Sequence, residues 1–374
     1  MKVLYVTTIS STMNFFPEHI KMLKECGATV ELASNFSVSN KKMGDAMLKL
    51  ECVQHDSPFS RSPLSKDNIR AYRELKQLLK DNHYDIVHTH TPNASAIVRL
   101  ACRKLRKQGT RVYYTAHGFH FYKGAPLKNW LVYFPVEWLL SHVTDVLITI
   151  NKEDYARAQK FGAKKVCYIP GVGLDFSKFD FELSEAERKA KRAELGVPEQ
   201  AKLLVSVGEL HRNKNHEVII RALAKIGDPN IHYCIAGTGG LHDYLTALAD
   251  ELGIGTQVHL LGYRNDVAQI YKSADVCCFP SYREGLGMAA LEGIACGIPV
   301  VAADNRGTRD IICDETMGVL CPADNAEMFA EAIREILADS EKTNGQQFGD
   351  KERTMERFSV ENVIEMLREE IYQI

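Results

Sequence analysis

Short apolar runs of strand length alternate with helical stretches from one end of this chain to the other, and that alternation is its strongest constraint on fold. In the first half the runs are Val3–Thr7, Thr29–Ala33, Asp85–Thr89, Val112–Thr115, Val146–Ile150 and Val166–Ile169. In the second they are Lys202–Val207, His232–Ala236, Val258–Leu260, Val276–Phe279, Val300–Ala302 and Gly318–Leu320. Helical patterns such as Pro17–Cys26, Lys66–Asp81 and His216–Lys225 fall between them. Strands that each lead into a helix predict α/β architecture, with parallel sheets covered on both faces.

The chain has 374 residues, which exceeds one ordinary core and predicts two domains. A break is visible after Val166–Ile169, where Pro170-Gly171-Val172-Gly173 precedes a charged stretch, Ser184–Leu195, poor in large apolar residues. We expect doubly wound domains over 1–170 and 171–357, joined near Pro170–Asp175, with a ligand cleft between them at the carboxyl ends of the strands. The polar stretch Asp339–Asp350 leads to a last helix, Val360–Ile374, and residues 358–374 are expected to return to the first domain.

Composition excludes several classes. A formal charge of -2 offers no global attraction to nucleic acid. No apolar run approaches the roughly 18 residues of a membrane span. The opening MKVLYVTTISS reads as a first strand rather than an export signal, so a cytoplasmic protein is expected. The ten cysteines are scattered through apolar patterns without a C-x-x-C pair, which favours reduced core thiols over a zinc site.

Chemistry concentrates in Asp275–Gly297, within which Phe279–Gly297 reads as a strand end, a loop and a helix start. The loop holds Ser281, Glu284, Gly285, Leu286 and Gly287. Glycines opening onto a helix N-terminus let backbone N–H groups approach a phosphate, and the helix dipole favours its charge. Glu284 and Glu292 suit sugar and ribose hydroxyls, which donate strong hydrogen bonds to carboxylates. Anion and polyols together point to a nucleotide sugar; a structural loop with a solvated Glu284 and a helix-surface Glu292 is the alternative.

Glu284 and Glu292 are separated by seven residues, flanked by P-S-x-x-E-G-x-G and followed by A-C-G-x-P-V-V-A. This resembles the E-x7-E segment of glycosyltransferase family 4, retaining enzymes of the GT-B fold with two Rossmann-like domains. The resemblance runs nearly the whole length and includes bacterial capsular and exopolysaccharide glycosyltransferases. Val205–Asn215, VSVGELHRNKN, is similar to the strand and loop that open the family's donor domain. It implies donor contacts at Gly208 and Lys214, with Lys214 on the diphosphate. Glu209 stands where the family has a basic residue, which leaves Arg212 as the candidate second cation. Ile235–Gly240 resembles the glycine turn beside the nucleotide, through Gly237, and Leu261–Val267 the segment near the base, through Arg264.

In the first half, Tyr114–Tyr122, YTAHGFHFY, resembles the segment with the family's active-site histidine, here His117. His117, Glu284 and Lys214 are the implied catalytic residues. His88 and His90 share a face of their strand and are read as packing or acceptor-side residues, with no third metal ligand nearby. The resemblance implies neither metal nor cofactor beyond the nucleotide-sugar substrate. The first strand–helix turn, Ser10-Ser11-Thr12-Met13-Asn14, departs from the family in having no glycine.

Phe121–His142 holds both tryptophans, and Arg99–Arg111 holds six cations, Arg99, Arg103, Lys104, Arg106, Lys107 and Arg111. This suits a peripheral position on an anionic bilayer, facing a lipid-linked saccharide acceptor; a buried aromatic helix beside a solvated basic face is the other reading. The implied activity is retaining transfer of a sugar from a nucleoside diphosphate sugar, UDP favoured, in surface polysaccharide biosynthesis. A nucleotide-sugar epimerase and a catalytically silent binding subunit are the rivals.

Overall fold

The computed structural model describes residues 1–37, 43–313, 317–338 and 351–374; the polar stretch 339–350 lies outside them. The chain forms two compact units, residues 1–173 with 360–374, and residues 174–359.

The first unit is a seven-stranded parallel sheet of β1 (Lys2–Ile9), β2 (Thr29–Asn35), β3 (Val53–Asp56), β4 (Ile86–Thr89), β5 (Arg111–Ala116), β6 (Val146–Thr149) and β7 (Lys165–Tyr168), ordered β3-β2-β1-β4-β5-β6-β7. The second holds β8 (Lys202–Val207), β9 (Ile231–Ala236), β10 (Val258–Gly262), β11 (Val276–Phe279), β12 (Val300–Ala303) and β13 (Gly318–Cys321), ordered β10-β9-β8-β11-β12-β13 and parallel throughout. In each sheet the order reverses beside the unit's first strand, between β1 and β4 and between β8 and β11. That topological switch point is where open α/β sheets bind ligands.

The central strands read as unbroken apolar runs because helices cover both faces. Every residue of β4, β6, β11 and β12 is buried. A recurring local device starts several of them. An aspartate just before a strand accepts an N–H from the first or second residue of its neighbour: Asp85 from Lys2 at 2.7 Å, Asp145 from Val112 at 2.8 Å, and Asp275 from Leu203 at 2.7 Å. Burial pushes the Asp145 carboxyl up, but Arg106, Lys164 and the Val112 N–H together hold it down at about 2.

One segment gains a structure, and one reading needs correction. The charged stretch Ser184–Leu195 is a helix, Glu185–Glu194, opened by a capping box between Ser184 and Glu187. It is anchored by buried Arg192, whose guanidinium meets Asp275 at 2.7 Å, with Arg188 on the other carboxylate oxygen at 2.9 Å. The six cations of Arg99–Arg111 also do not form one solvated face. Arg99 is buried against Glu137 at 2.8 Å, and Arg106 pairs with Asp145 at 2.8 Å.

The end of the chain forms a helix over Val360–Met366 and a π-helical turn over Leu367–Tyr372, with Val363, Leu367, Ile371 and Tyr372 buried. The Tyr372 hydroxyl hydrogen-bonds Nδ1 of buried His88 on β4.

Candidate active site

In unit 174–359 two loops meet at the switch point, one after β8 and one after β11. Three hydrogen bonds staple them. Tyr282 N–H donates to the Asn213 carbonyl at 2.9 Å, Asn213 Nδ2 to the Arg283 carbonyl at 2.8 Å, and Asn215 Nδ2 to the Pro280 carbonyl at 3.1 Å. Asn215 sits in the left-handed region, φ 54°, which an asparagine tolerates better than most residues and which turns the chain from the Arg212–Lys214 turn into the His216–Ile226 helix.

The staple brings Lys214 Nζ to 2.8 Å from Glu284 Oε1, with the side chains 22% and 19% exposed. Lys214 also lies over the Phe279 ring, 5.3 Å from its centroid. Gly208 leaves room for that lysine stem, since a Cβ there would stand 3.3 Å from its Cδ and Cε. Gly237 is needed for a different reason: a Cβ would lie 1.9 Å from the Gly208 carbonyl oxygen, so only glycine lets the turns after β8 and β9 approach.

Gly287 ends the Glu284–Gly287 loop with φ 114° and opens the Met288–Ala295 helix, and Leu286 is buried. The Ser281 hydroxyl is buried with no hydrogen-bond partner among the described residues. A buried, unpaired hydroxyl is costly enough to mark a place kept for a ligand or water. Glu292 lies one helical turn into the site, and burial pushes its carboxyl up to about 7, with the Lys214 ammonium pulling the other way. A carboxyl so displaced in a loop–helix site is a functional marker.

The remaining candidate donor-side residues divide. Arg212 is exposed and lines a cavity of about 360 Å3 with His216, Glu217, Tyr244 and Tyr282. Arg264 is ion-paired: its guanidinium binds Asp266 at 2.8 Å and 2.6 Å and also Glu194. Sequence reasoning missed Arg306, a buried cation that donates to the Glu284 carbonyl at 3.1 Å and so supports the loop from beneath. Gly307, which follows it, would place a Cβ 2.3 Å from the Leu286 carbonyl oxygen. N-R-G after an apolar strand was the available signal.

In unit 1–173 with 360–374, His117 follows β5 and its Nε2 lies 3.2 Å from Nδ1 of His90, which follows β4. Burial lowers His117 to about 4, with His19 adding to the effect, so the ring is neutral near pH 7. Beside it, Thr8 and Thr91 hydroxyls meet at 2.6 Å across the β1–β4 switch point. They line a cavity of about 250 Å3 with Thr12, Arg61, Asn93 and His120, closed by Tyr133, whose ring stacks on His120 at 4.5 Å. Arg61 lies in a loop that sequence reasoning passed over; Asn93 holds that loop through the Ser60 and Arg61 carbonyls. No group of three or more His, Cys, Asp or Glu side chains is disposed to hold a metal ion among the described residues.

Residues 2–151 match the family model described as glycosyl transferase 4-like, and residues 187–353 the model described as glycosyl transferases group 1. The chain is 39% identical over 341 residues to the putative glycosyltransferase EpsD of Bacillus subtilis strain 168, covering 90% of this chain and 87% of EpsD. It is 29% identical over 284 residues to an Escherichia coli UDP-Gal:alpha-D-GlcNAc-diphosphoundecaprenol alpha-1,3-galactosyltransferase, covering 74% of this chain and 72% of that one. Among solved structures, Anabaena HepE in complex with UDP and glucose superposes over 100% of both chains with TM-score 0.80 at 19% identity. WaaG, a glycosyltransferase involved in lipopolysaccharide biosynthesis, does so over 98% of both chains with TM-score 0.73 at 18% identity. The chain therefore belongs to glycosyltransferase family 4, the group 1 glycosyltransferases of the GT-B fold.

Proposed function

We propose that this glycosyltransferase moves a hexosyl or N-acetylhexosaminyl group, with retention, from a UDP-sugar to a hydroxyl of a lipid-linked saccharide in surface polysaccharide biosynthesis. The observation that carries the reading is the Lys214–Glu284 pair at the switch point of unit 174–359, beside the unpartnered Ser281 hydroxyl. Lys214 and the N-terminus of the Met288–Ala295 helix stabilise the charge that grows on the departing diphosphate. Glu284 takes sugar hydroxyls and Glu292 the ribose. Arg212 stays a candidate diphosphate contact; Arg264, tied to two carboxylates, approaches the base only through its backbone neighbours. His117 donates to the transferred sugar, and the acceptor hydroxyl attacks on the face the diphosphate leaves, passing its proton to that diphosphate. No metal or cofactor enters this scheme. The names of two relatives support donor and acceptor class: the Escherichia coli enzyme for UDP-Gal and a diphosphoundecaprenol-linked acceptor, and HepE for its complex with UDP.

A membrane position is supported by the Leu127–Ser141 helix. It packs Trp130, Tyr133 and Phe134 onto the core cluster that holds Phe119 and Phe121. Its other side leaves Leu127, Leu131, Val132, Val136, Trp138 and Leu139 exposed, from 42% at Trp138 to 73% at Leu127. Such a row is an interaction surface. In the same unit a groove of about 880 Å3 is lined by Arg73, Lys76, Lys80, Arg103 and Lys104 and, among the described residues, by no carboxylate. Apolar row and cationic groove suit the anionic inner face of a membrane. Each cation near such a surface contributes about 1 kcal/mol, so charge reversal at Arg103, Lys104 and Lys107 together should weaken vesicle binding by about 100-fold or more. Flotation with anionic liposomes measures this; unchanged flotation would remove the membrane from the account.

The reaction itself is tested by whether UDP release from a UDP-hexose depends on added lipid-linked saccharide. An epimerase converts the donor with no acceptor present, and a silent subunit binds the donor and releases nothing.

A further inference from the structure

His90 is held more tightly than its position at a strand end requires. The residue is 2% exposed, and its ring packs between Tyr5, with centroids 4.4 Å apart and rings stacked, and Phe16 at 4.2 Å, with His88 also at 4.2 Å. These neighbours fix the plane of the imidazole. Its Nδ1 meets His117 Nε2 at 3.2 Å, and its own Nε2 is buried with no hydrogen-bond partner among the described residues. Burial drives its basicity well below the usual histidine range, with His88, His117 and His19 opposing a further charge, so the ring is neutral.

A neutral pair of rings sharing one hydrogen bond has two arrangements. If His117 donated from Nε2, His90 would carry its proton on Nε2, as a buried N–H with no acceptor. If His90 donates from Nδ1, its bare Nε2 is an unused lone pair. Orphaned buried N–H groups are rarer than under-used acceptors, which selects the second arrangement. His117, accepting at Nε2, then carries its own proton on Nδ1.

We infer that His90 is a positioning residue that locks His117 in the Nδ1–H tautomer, so that His117 serves a ligand as a hydrogen-bond donor through Nδ1 and not as a base. This rests on the proposed role of His117 at the transferred sugar. It agrees with a reaction in which the departing diphosphate, and not a side chain, takes the acceptor's proton.

Nitrogen-15 NMR of the full-length protein labelled at histidine, with His117 assigned by its loss in His117→Ala, reads the tautomer directly. The wild type should show His117 protonated at Nδ1 and bare at Nε2. His90→Phe keeps the aromatic packing but removes the donor. It should let His117 exchange between tautomers and lower kcat about fivefold to tenfold, the worth of one hydrogen bond, at unchanged melting temperature. His90→Asn puts an amide N–H near the Nδ1 position and should restore both the tautomer and most of kcat. His117 protonated at Nε2 in the wild type would overturn the inference, as would His90→Phe with an unshifted tautomer. Full activity in His117→Ala would instead remove His117 from the reaction while leaving the NMR result to decide the tautomer.

Discussion

Alanine at Lys214 or at Glu284 should lower turnover by about tenfold or more and leave the fold intact. The two expectations have different physical sources. As a structural contact, an ion pair of this partial exposure is worth about 0–1 kcal/mol, so the melting temperature should hardly move in either variant. In the proposed reaction they would act on charge that develops only during transfer, in a place where the loops after β8 and β11 exclude part of the solvent. There Lys214 would meet a diphosphate gaining charge, and preorganised donors of that kind are worth about 100-fold to 1000-fold when removed singly. Steady-state kinetics with a thermal melt of each variant separates the two. Near-wild-type turnover in both would remove them from the reaction.

A second large effect is expected at Glu292, where stability and function should move in opposite directions. Its carboxyl, ordinarily at 4.5, stands at about 7 in the folded protein because it is buried. Between those values the folded chain holds the proton and the unfolded chain does not. Stability is therefore lost as pH rises through that window, by up to about 3 kcal/mol once the group is ionised in both states. Glu292→Gln should melt several degrees above the wild type at about pH 8 and beside it at about pH 4.5. If Glu292 also receives ribose hydroxyls, the ionised form is the better acceptor, and UDP affinity should rise with pH between about 6 and 8 in the wild type only. Melting curves and calorimetric titration across that range test both. An unchanged pH profile of UDP affinity in Glu292→Gln would dissociate the carboxylate from the nucleotide.

Twelve strands are visible in the sequence as short apolar runs, which are unbroken where both faces are buried, as in β4, β6, β11 and β12, and weaker in the half-buried β7 and β10. The exception shows the same physics. β3, Val53–Asp56, carries Gln54, His55 and Asp56, lies at the sheet edge and is mostly exposed, so no hydrophobic pattern marks it. It is held by register with β2 and by His55 on Glu31 at 2.7 Å, neither of which is a local signal. The helix Glu185–Glu194 was hidden by its charge. Its S-x-x-E cap was readable, but burial of Arg192 needs a partner, Asp275, that is 83 residues away.

The candidate donor-side residues were legible to differing degrees for the same reason. Lys214, Glu284 and Glu292 lie in a recognisable segment, whereas Asn215 and Arg306 act on the backbone of loops distant in sequence. Arg264 shows the reverse: its local context suggested the base, and three-dimensional pairing with Asp266 and Glu194 engages its guanidinium. The His90–His117 contact joins residues that follow two adjacent strands, 27 positions apart, and becomes visible only when β4 and β5 are paired.

The central claim is that this chain transfers sugar from a UDP-sugar to a lipid-linked acceptor with retention. The most direct measurement incubates it with a labelled UDP-hexose, chosen by thermal shift, and a diphospholipid-linked saccharide, then analyses the extracted lipid. The account predicts one UDP released per sugar transferred, strict dependence on the acceptor, and a product with the anomeric configuration of the donor. Donor conversion without acceptor, or a product of inverted configuration, would contradict it.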